Sequence, residues 1–119
     1  MTPSVAVVHE DADLLVVNKP ADLVCHPTKG DAWSSLIGRL RLHLGPAGAP
    51  QLINRLDRET SGLVVCARNA AAARELRQLW ERRAVTKTYL AIVEGVPGAG
   101  AGEVEAPLGP DELSVVAIK

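Results

Sequence analysis

Short apolar runs separated by charged residues open the chain and predict a β hairpin. Apolar and β-branched residues occupy positions 5–8 and 14–17, and the stretch 9–13 between them is typical of a turn. Pro20 ends the second strand, because proline has no N–H to donate to a β ladder. Residues 20–32, with two prolines and a glycine, are expected to form a loop.

Two later segments repeat apolar residues at the spacing of an α-helix. The first predicts a helix over residues 33–44, which the glycines and prolines of residues 45–50 end. The second predicts a helix over residues 70–83 with Asn69 as its N-cap, since the asparagine side chain can accept a free N–H of the first turn.

The remaining apolar runs predict strands. Residues 62–67 read as a buried strand, residues 86–93 alternate in the manner of a strand, and position 104 and residues 115–118 are weaker candidates. Strands and helices mix without a regular β-α-β repetition. The predicted class is therefore α+β, with a mixed, mainly antiparallel sheet and two helices in a single domain over residues 1–119.

Composition narrows the class of protein. The 119 residues are 47% hydrophobic and 23% charged, which is typical of a folded domain and argues against a long disordered chain. The sequence has neither the roughly 20 apolar residues of a membrane-spanning helix nor the basic start of a secretory signal, so we expect a cytoplasmic protein. Two cysteines without metal-ligand spacing favour reduced thiols over disulfides or a zinc site.

Charge is unevenly distributed along the chain. The net charge is −1, but residues 68–93 carry six basic and two acidic side chains. Such a segment is explained equally by a patch that faces phosphate groups and by the solvated face of a helix. Charge alone leaves both interpretations open.

The most informative stretch is residues 54–62, Asn-Arg-Leu-Asp-Arg-Glu-Thr-Ser-Gly, directly ahead of a predicted buried strand. Asp57 lies between Arg55 and Arg58, and nearby positive charge favours an ionised carboxylate. A salt-bridged structural turn and a catalytic carboxylate are both consistent with this spacing. Asp57 and Glu59 also permit a glycosidase pair, which is a weaker hypothesis because many charged loops offer such a pair.

Residues 54–63 resemble the H-R-L-D-x-x-T-S-G signature of RluA-like pseudouridine synthases. Residues 16–27 resemble the N-K-P-x-G-x-x-x-H-P block of the same family, and residues 87–95 resemble its K-x-Y-x-A-x-V-x-G strand. Three blocks in the family's order are far more specific than any one of them.

The resemblance implies an RNA pseudouridine synthase that isomerises uridines in structured rRNA or tRNA without a metal or organic cofactor. The target uridine is flipped out, its N-glycosidic bond is broken, and C5 is joined to the same C1′. Asp57 is then the essential catalytic carboxylate, which either attacks C1′ or takes a proton from the sugar. Tyr89 is the tyrosine that stacks on the uracil and helps to remove the C5 proton.

The resemblance also supplies candidate RNA-binding residues. Arg55 matches the arginine that fills the gap left by the flipped base. Arg58, Lys19 and Lys87 are further candidates for contact with RNA, with a solvated role as the alternative for Lys19 and a structural one for Lys87. Thr60 and Ser61 are expected to hold the turn, because their hydroxyls can bond to nearby backbone groups.

The chain departs from the family in three places. Asn54 stands where the signature has His, and its amide can still hydrogen-bond the turn. Asp22 stands where the first block has Gly, and Asp tolerates the left-handed backbone conformation better than most residues.

The third departure is length, because the family's catalytic domain is longer. Residues 96–119 contain no block with the basic partner of the catalytic carboxylate. We therefore expect part of a catalytic domain that is inactive alone and leaves a sheet edge and an apolar face uncovered. A non-catalytic RNA-binding module and a purely structural fragment are the alternatives.

Overall fold

The computed structural model describes residues 5–26, 35–96, 98 and 100–103. The chain divides into two units, residues 1–86 and residues 87–119. All the helices and strands found among the described residues belong to the first unit. They are β1 (Ala6–Glu10), β2 (Leu14–Lys19), α1 (Leu36–Leu44), β3 (Gln51–Leu52), β4 (Gly62–Ala67) and α2 (Ala70–Glu81).

The four strands form one sheet in the order β1-β2-β4-β3, and each neighbouring pair is antiparallel. This confirms the predicted α+β class with a mainly antiparallel sheet and two helices. The short β3 was not predicted, because two residues are too few to show the alternation of a strand.

The carboxylate of Asp11 stabilises the turn of the β1–β2 hairpin. Asp11 Oδ1 accepts the backbone N–H groups of Asp13 and Leu14 at 2.8 and 2.7 Å. Together with a hydrogen bond to the His9 ring, these contacts lower the pKa of Asp11 to about 2. The predicted hairpin is confirmed, with an irregular register between Val7 and His9 that marks a β-bulge.

The core lies between one face of the sheet and α1. Alternation along the two central strands places residues 15, 17, 64 and 66 on this face, where they meet the first turns of α1. With no phenylalanine in the chain, the core depends on aliphatic side chains. Its most deeply buried apolar members are Leu15, Val17, Leu36, Leu40, Val64 and Cys66.

Side-chain caps start both helices. The Ser35 hydroxyl accepts the Gly38 N–H at 3.1 Å, and Asn69 Oδ1 accepts the Ala72 N–H at 2.8 Å, which confirms the predicted cap of α2. The second helix ends two residues earlier than predicted. Arg83 has φ 55°, a left-handed conformation that cannot continue a right-handed helix.

The predicted strand over residues 86–93 is wrong. Within the described part of the second unit no residue belongs to a helix or strand, and Leu90 and Ile92 are fully exposed. Alternating apolar residues form a strand only where a partner accepts their backbone bonds and a surface covers their apolar side. The weaker candidates at 104 and 115–118 lie outside the described residues.

Both cysteines, Cys25 and Cys66, are free and buried. Burial raises the pKa of the Cys66 thiol to about 11. Separately, among the residues that the structure describes, neither helix has the length and apolar character needed to cross a bilayer.

Two leucines of α1 provide a matched test of this core. Leu40 is 0% exposed and Leu42 is 45% exposed. We expect Leu40→Ala to lower the free energy of unfolding by about 2–5 kcal/mol, because it leaves a cavity in the core. Leu42→Ala is expected to cost less than about 1 kcal/mol. Urea unfolding followed by circular dichroism measures both, and equal costs contradict the described packing.

Candidate active site

Asp57 begins a tight turn in the connection from β3 to β4. The Thr60 N–H donates to the Asp57 carbonyl at 3.0 Å, which closes a four-residue β-turn with aspartate at its favoured first position. Asp57, Arg58 and Glu59 are exposed. The turn therefore holds a carboxylate-bearing residue at the surface on a defined piece of backbone.

Asn54 fixes the start of this connection. Its Nδ2 donates to the Leu63 carbonyl at 3.2 Å, and its Oδ1 accepts the Val65 N–H at 2.7 Å. The side-chain amide thus imitates a peptide group and extends the β3–β4 pairing beyond the Ile53 N–H···O=C Val65 bond of 2.8 Å. As expected, the turn persists with asparagine in the place of histidine.

The other end of the connection requires glycine. Gly62 has φ 136°, a backbone conformation that other residues rarely adopt. A Cβ built there meets only Leu56 Cδ1, at an ordinary 3.7 Å. Backbone conformation, rather than close packing, accounts for this glycine.

The side chain of Lys19 braces the turn from inside. Lys19 is 0% exposed, and its Nζ donates to the carbonyls of Leu23 at 2.7 Å, Pro20 at 2.9 Å and Arg58 at 3.2 Å. An ammonium group has three N–H donors, so these three acceptors use all of them. One buried cation thus connects the end of β2, the loop that follows it and the Asp57 turn.

Two further contacts join the same segments. The Asp22 N–H donates to the Arg58 carbonyl at 2.6 Å, and Cys25 Sγ lies 3.5 Å from the Leu56 carbonyl oxygen. Asp22 has φ 65°, the left-handed conformation expected where the family has glycine. The loop after β2 therefore holds the turn by its backbone as well as through Lys19.

This geometry corrects the prediction that Lys19 contacts RNA or is solvated. Its ammonium is inside the protein, with every donor directed to a backbone carbonyl. Burial lowers the pKa of Lys19, and electrostatic interactions, first with Cys25 and then with nearby carboxylates such as Asp22, oppose that decrease. Lys19 is a structural cation next to the candidate site.

The interpretation of the turn as salt-bridged is also wrong. Across the described ranges, no ion pair joins Asp57 to Arg55 or Arg58, and both arginines are exposed. The hydroxyls of Thr60 and Ser61 likewise have no hydrogen-bond partner among the described residues. The turn is held instead by the Thr60 backbone N–H and by the contacts from the loop after β2.

The two remaining predicted site residues, Tyr89 and Lys87, lie in the second unit. Tyr89 is 60% exposed, and Lys87 is exposed. Their roles stay predictions. Part of the basic segment 68–93 is engaged within the first unit, since Arg68 lies 3.5 Å from Glu10 and Arg77 donates to Gln51 at 3.0 Å.

The described residues contain no group of three or more His, Cys, Asp or Glu side chains placed to hold a metal ion. The chemistry that the described site does offer is an exposed aspartate on a fixed turn, flanked by two unpaired arginines.

Comparison with known proteins gives a consistent family match. A family model described as RNA pseudouridylate synthase matches residues 13–115. Ribosomal large subunit pseudouridine synthase D of Vibrio cholerae is 40% identical over 106 residues, which cover 87% of this chain and 32% of that protein. The uncharacterized RNA pseudouridine synthase YlyB of Bacillus subtilis is 34% identical over 112 residues, which cover 89% of this chain and 37% of that protein.

A solved structure agrees. Human RNA Pseudouridylate Synthase Domain Containing 1 has a TM-score of 0.56 and 26% identity, and the match covers 70% of this chain and 30% of the human chain. The chain thus spans about a third of the length of the curated relatives cited here.

Removing the Lys19 ammonium tests whether its three hydrogen bonds stabilise the fold around the Asp57 turn. In Lys19→Met the carbonyls of Pro20, Leu23 and Arg58 lose their donor, which we expect to lower the free energy of unfolding by about 3 kcal/mol. The matched control Lys87→Met, at an exposed lysine, is expected to change it by less than about 0.5 kcal/mol. Chemical denaturation measures both, and a neutral Lys19→Met contradicts the brace.

Proposed function

The chain belongs to the RNA pseudouridylate synthase family, and from this we propose that it forms the part of an RNA pseudouridine synthase that carries the catalytic aspartate, Asp57. The observation that best supports this role is the exposure of Asp57 on a turn whose backbone is held by Lys19 and Asp22. A reacting carboxylate has to be accessible to a nucleotide and also fixed in position.

Asp57 acts on the ribose of a flipped uridine in this proposal. The carboxylate either attacks C1′ or removes a proton from the sugar, and both steps need an ionised oxygen held at a set position. Fixing the turn before the substrate arrives lowers the entropy cost of reaching the reactive geometry. Lys19 at the end of β2 and Asp22 in the following loop supply this support, because both donate to the Arg58 carbonyl. The contact of Cys25 to the Leu56 carbonyl, just before the turn, adds to it.

Arg55 and Arg58 contact the RNA around the target. Both are exposed, and among the described residues neither is held in an ion pair. Extruding a base costs a few kcal/mol, part of which a planar guanidinium recovers by stacking in the vacated place. We assign this role to Arg55 and phosphate contact to Arg58 and Lys87.

Tyr89 provides the aromatic face for the flipped uracil. Its ring is 60% exposed, and it stands in the block that resembles the family's tyrosine-bearing strand. Stacking of a base on an aromatic ring is worth about 1–3 kcal/mol. In this proposal the tyrosine also helps to remove the C5 proton after C5 has joined C1′, which restores the C5=C6 double bond of the ring.

Ribosomal RNA is the favoured substrate class. The Vibrio cholerae relative is named for the large ribosomal subunit, as are relatives of 37% and 38% identity from Haemophilus ducreyi and Zymomonas mobilis. Transfer RNA is the alternative. We also propose that the chain supplies one part of a larger catalytic domain, since it spans about a third of such relatives.

A matched pair of carboxylates on the turn tests the catalytic role. In the protein that carries this chain in its complete reading frame, Asp57→Asn is expected to lower pseudouridine formation by at least about 100-fold, because the reacting carboxylate is lost. Glu59→Gln, also exposed on the turn, is expected to retain activity. Mass spectrometry of nucleosides from treated RNA measures both.

A measurement of RNA binding distinguishes a loss of catalysis from a loss of substrate binding. Asp57→Asn is expected to bind RNA within about twofold of the unsubstituted protein, because base stacking and phosphate contacts remain. Unchanged pseudouridine formation by Asp57→Asn removes this residue from the mechanism. Salt-dependent RNA binding without any pseudouridine formation by the unsubstituted protein favours the non-catalytic RNA-binding module instead.

The 119-residue chain alone is expected to form no pseudouridine above background, because residues 96–119 have no match to the family block that carries the basic partner of the catalytic carboxylate. Incubation of the purified chain with uridine-containing ribosomal RNA, followed by the same nucleoside analysis, measures this. Robust turnover contradicts the expectation that the site needs residues beyond this chain.

A further inference from the structure

A cavity of about 390 Å³ lies at the same end of the sheet as the Asp57 turn. The pairing of Ala6 with Asn18 and of Lys19 with Gly62 brings the ends of β1 and β2 beside the residue that precedes β4. The cavity is lined by Val5, Ala6, Asn18, Lys19, Pro20 and Ser61.

Two polar side chains of this cavity are available to a ligand. Asn18 is exposed and neighbours the inward-facing Lys19, and successive side chains of a strand point to opposite faces. Neither the Asn18 amide nor the Ser61 hydroxyl has a hydrogen-bond partner within the described ranges. Together they offer donors and acceptors side by side.

Apolar groups border these polar atoms. Val5 and Pro20 line the cavity, and Leu63, which is 57% exposed, pairs directly with Asn18 on the neighbouring strand. Among the described residues that line the cavity, Lys19 is the single cation, and its donors are all used by carbonyls. This combination suits a planar group with apolar faces and a polar edge, and it does not suit a phosphate.

A nucleobase has this chemistry. Single-stranded bases are recognised through hydrogen bonds to their edges and contacts with their faces, and asparagine makes paired hydrogen bonds with a base edge. The position of the cavity indicates which base. Ser61 directly follows Thr60, whose N–H closes the Asp57 turn, so a nucleotide held at Ser61 lies next to one held at Asp57.

We propose that Asn18 and Ser61 form a subsite for the base of a nucleotide adjacent to the modified uridine. The inference rests on the proposed function, because it takes the uridine to be placed at Asp57. It assigns to this cavity part of the selectivity for the sequence around the target. Asn18 acts by binding the RNA and takes no part in the bond changes at the uridine.

Binding of a fluorescein-labelled RNA hairpin with one loop uridine, measured by fluorescence anisotropy at fixed salt, tests the subsite in the protein that contains this chain. Asn18→Ala and Ser61→Ala are each expected to weaken binding by about tenfold, since each removes hydrogen bonds to the base. Gln78→Ala, which removes an exposed amide from α2, is the matched control and is expected to leave affinity unchanged. Circular dichroism verifies that each variant is folded.

Abasic RNAs identify the base concerned. The hairpin is prepared with the base removed on the 5′ or the 3′ side of the uridine, one position at a time. On one of these RNAs Asn18→Ala is expected to cause no further loss of affinity, because the contact is already gone. An equal loss on all RNAs, or no loss on any of them, overturns the subsite.

The outcomes separate the subsite from the proposed function. If the unsubstituted protein that contains this chain binds the hairpin and its Asn18→Ala variant binds it equally well, the subsite is wrong and the proposed function stands. If that unsubstituted protein does not bind the hairpin at any salt concentration that keeps it folded, the RNA-binding part of the proposed function is contradicted, and the subsite with it.

Discussion

A buried ammonium group is stable only where acceptors surround all of its protons, and the candidate site is built around one such group. Lys19 Nζ meets this requirement with the carbonyls of Pro20, Leu23 and Arg58, which come from two separate loops. The loop after β2 is also joined to the start of α1, since the N–H groups of Leu36 and Ile37 donate to the carbonyls of Val24 and Cys25. Because the cation must be satisfied, the two loops are brought together, and the turn that starts at Asp57 takes a set position.

The groups that hold the turn are different from the charged side chains that the turn exposes. The polar groups that hold the turn are the buried ammonium of Lys19, backbone N–H and carbonyl groups, and the amide of Asn54. The charged side chains of Asp57 and its two flanking arginines remain at the surface without mutual ion pairs within the described chain. The side chains that the proposed function uses therefore project into solvent from a backbone that is already ordered, and such fixed positioning lowers the entropy cost of reaction.

Sequence patterns predicted the elements whose periodicity is local. The hairpin, both helices and β4 follow from alternation and helical spacing. The N-cap role of Asn69 follows from the known preference of asparagine for that position. The charge of Lys19 favours a position in solvent or at a phosphate, whereas alternation with Leu15 and Val17 places it on the core face. The strand predicted over residues 86–93 is wrong for a different reason. The alternation of apolar residues is present, but a strand also needs a partner strand, which no local pattern specifies. The hydrogen bonds of Lys19 and the cavity at Asn18 depend on contacts between residues that are far apart in the sequence, and no local pattern predicts such contacts.

The central claim is that the Lys19 ammonium orders the Asp57 turn, and amide hydrogen exchange measured by NMR tests it most directly. The amides to follow are those of Asp22 and Thr60, which donate to the carbonyls of Arg58 and Asp57. In Lys19→Met these two amides are predicted to exchange at least about tenfold faster, and by a larger factor than the amides of α1, because the turn opens locally. Unchanged exchange at Asp22 and Thr60, or an increase no greater than that of α1, contradicts the claim.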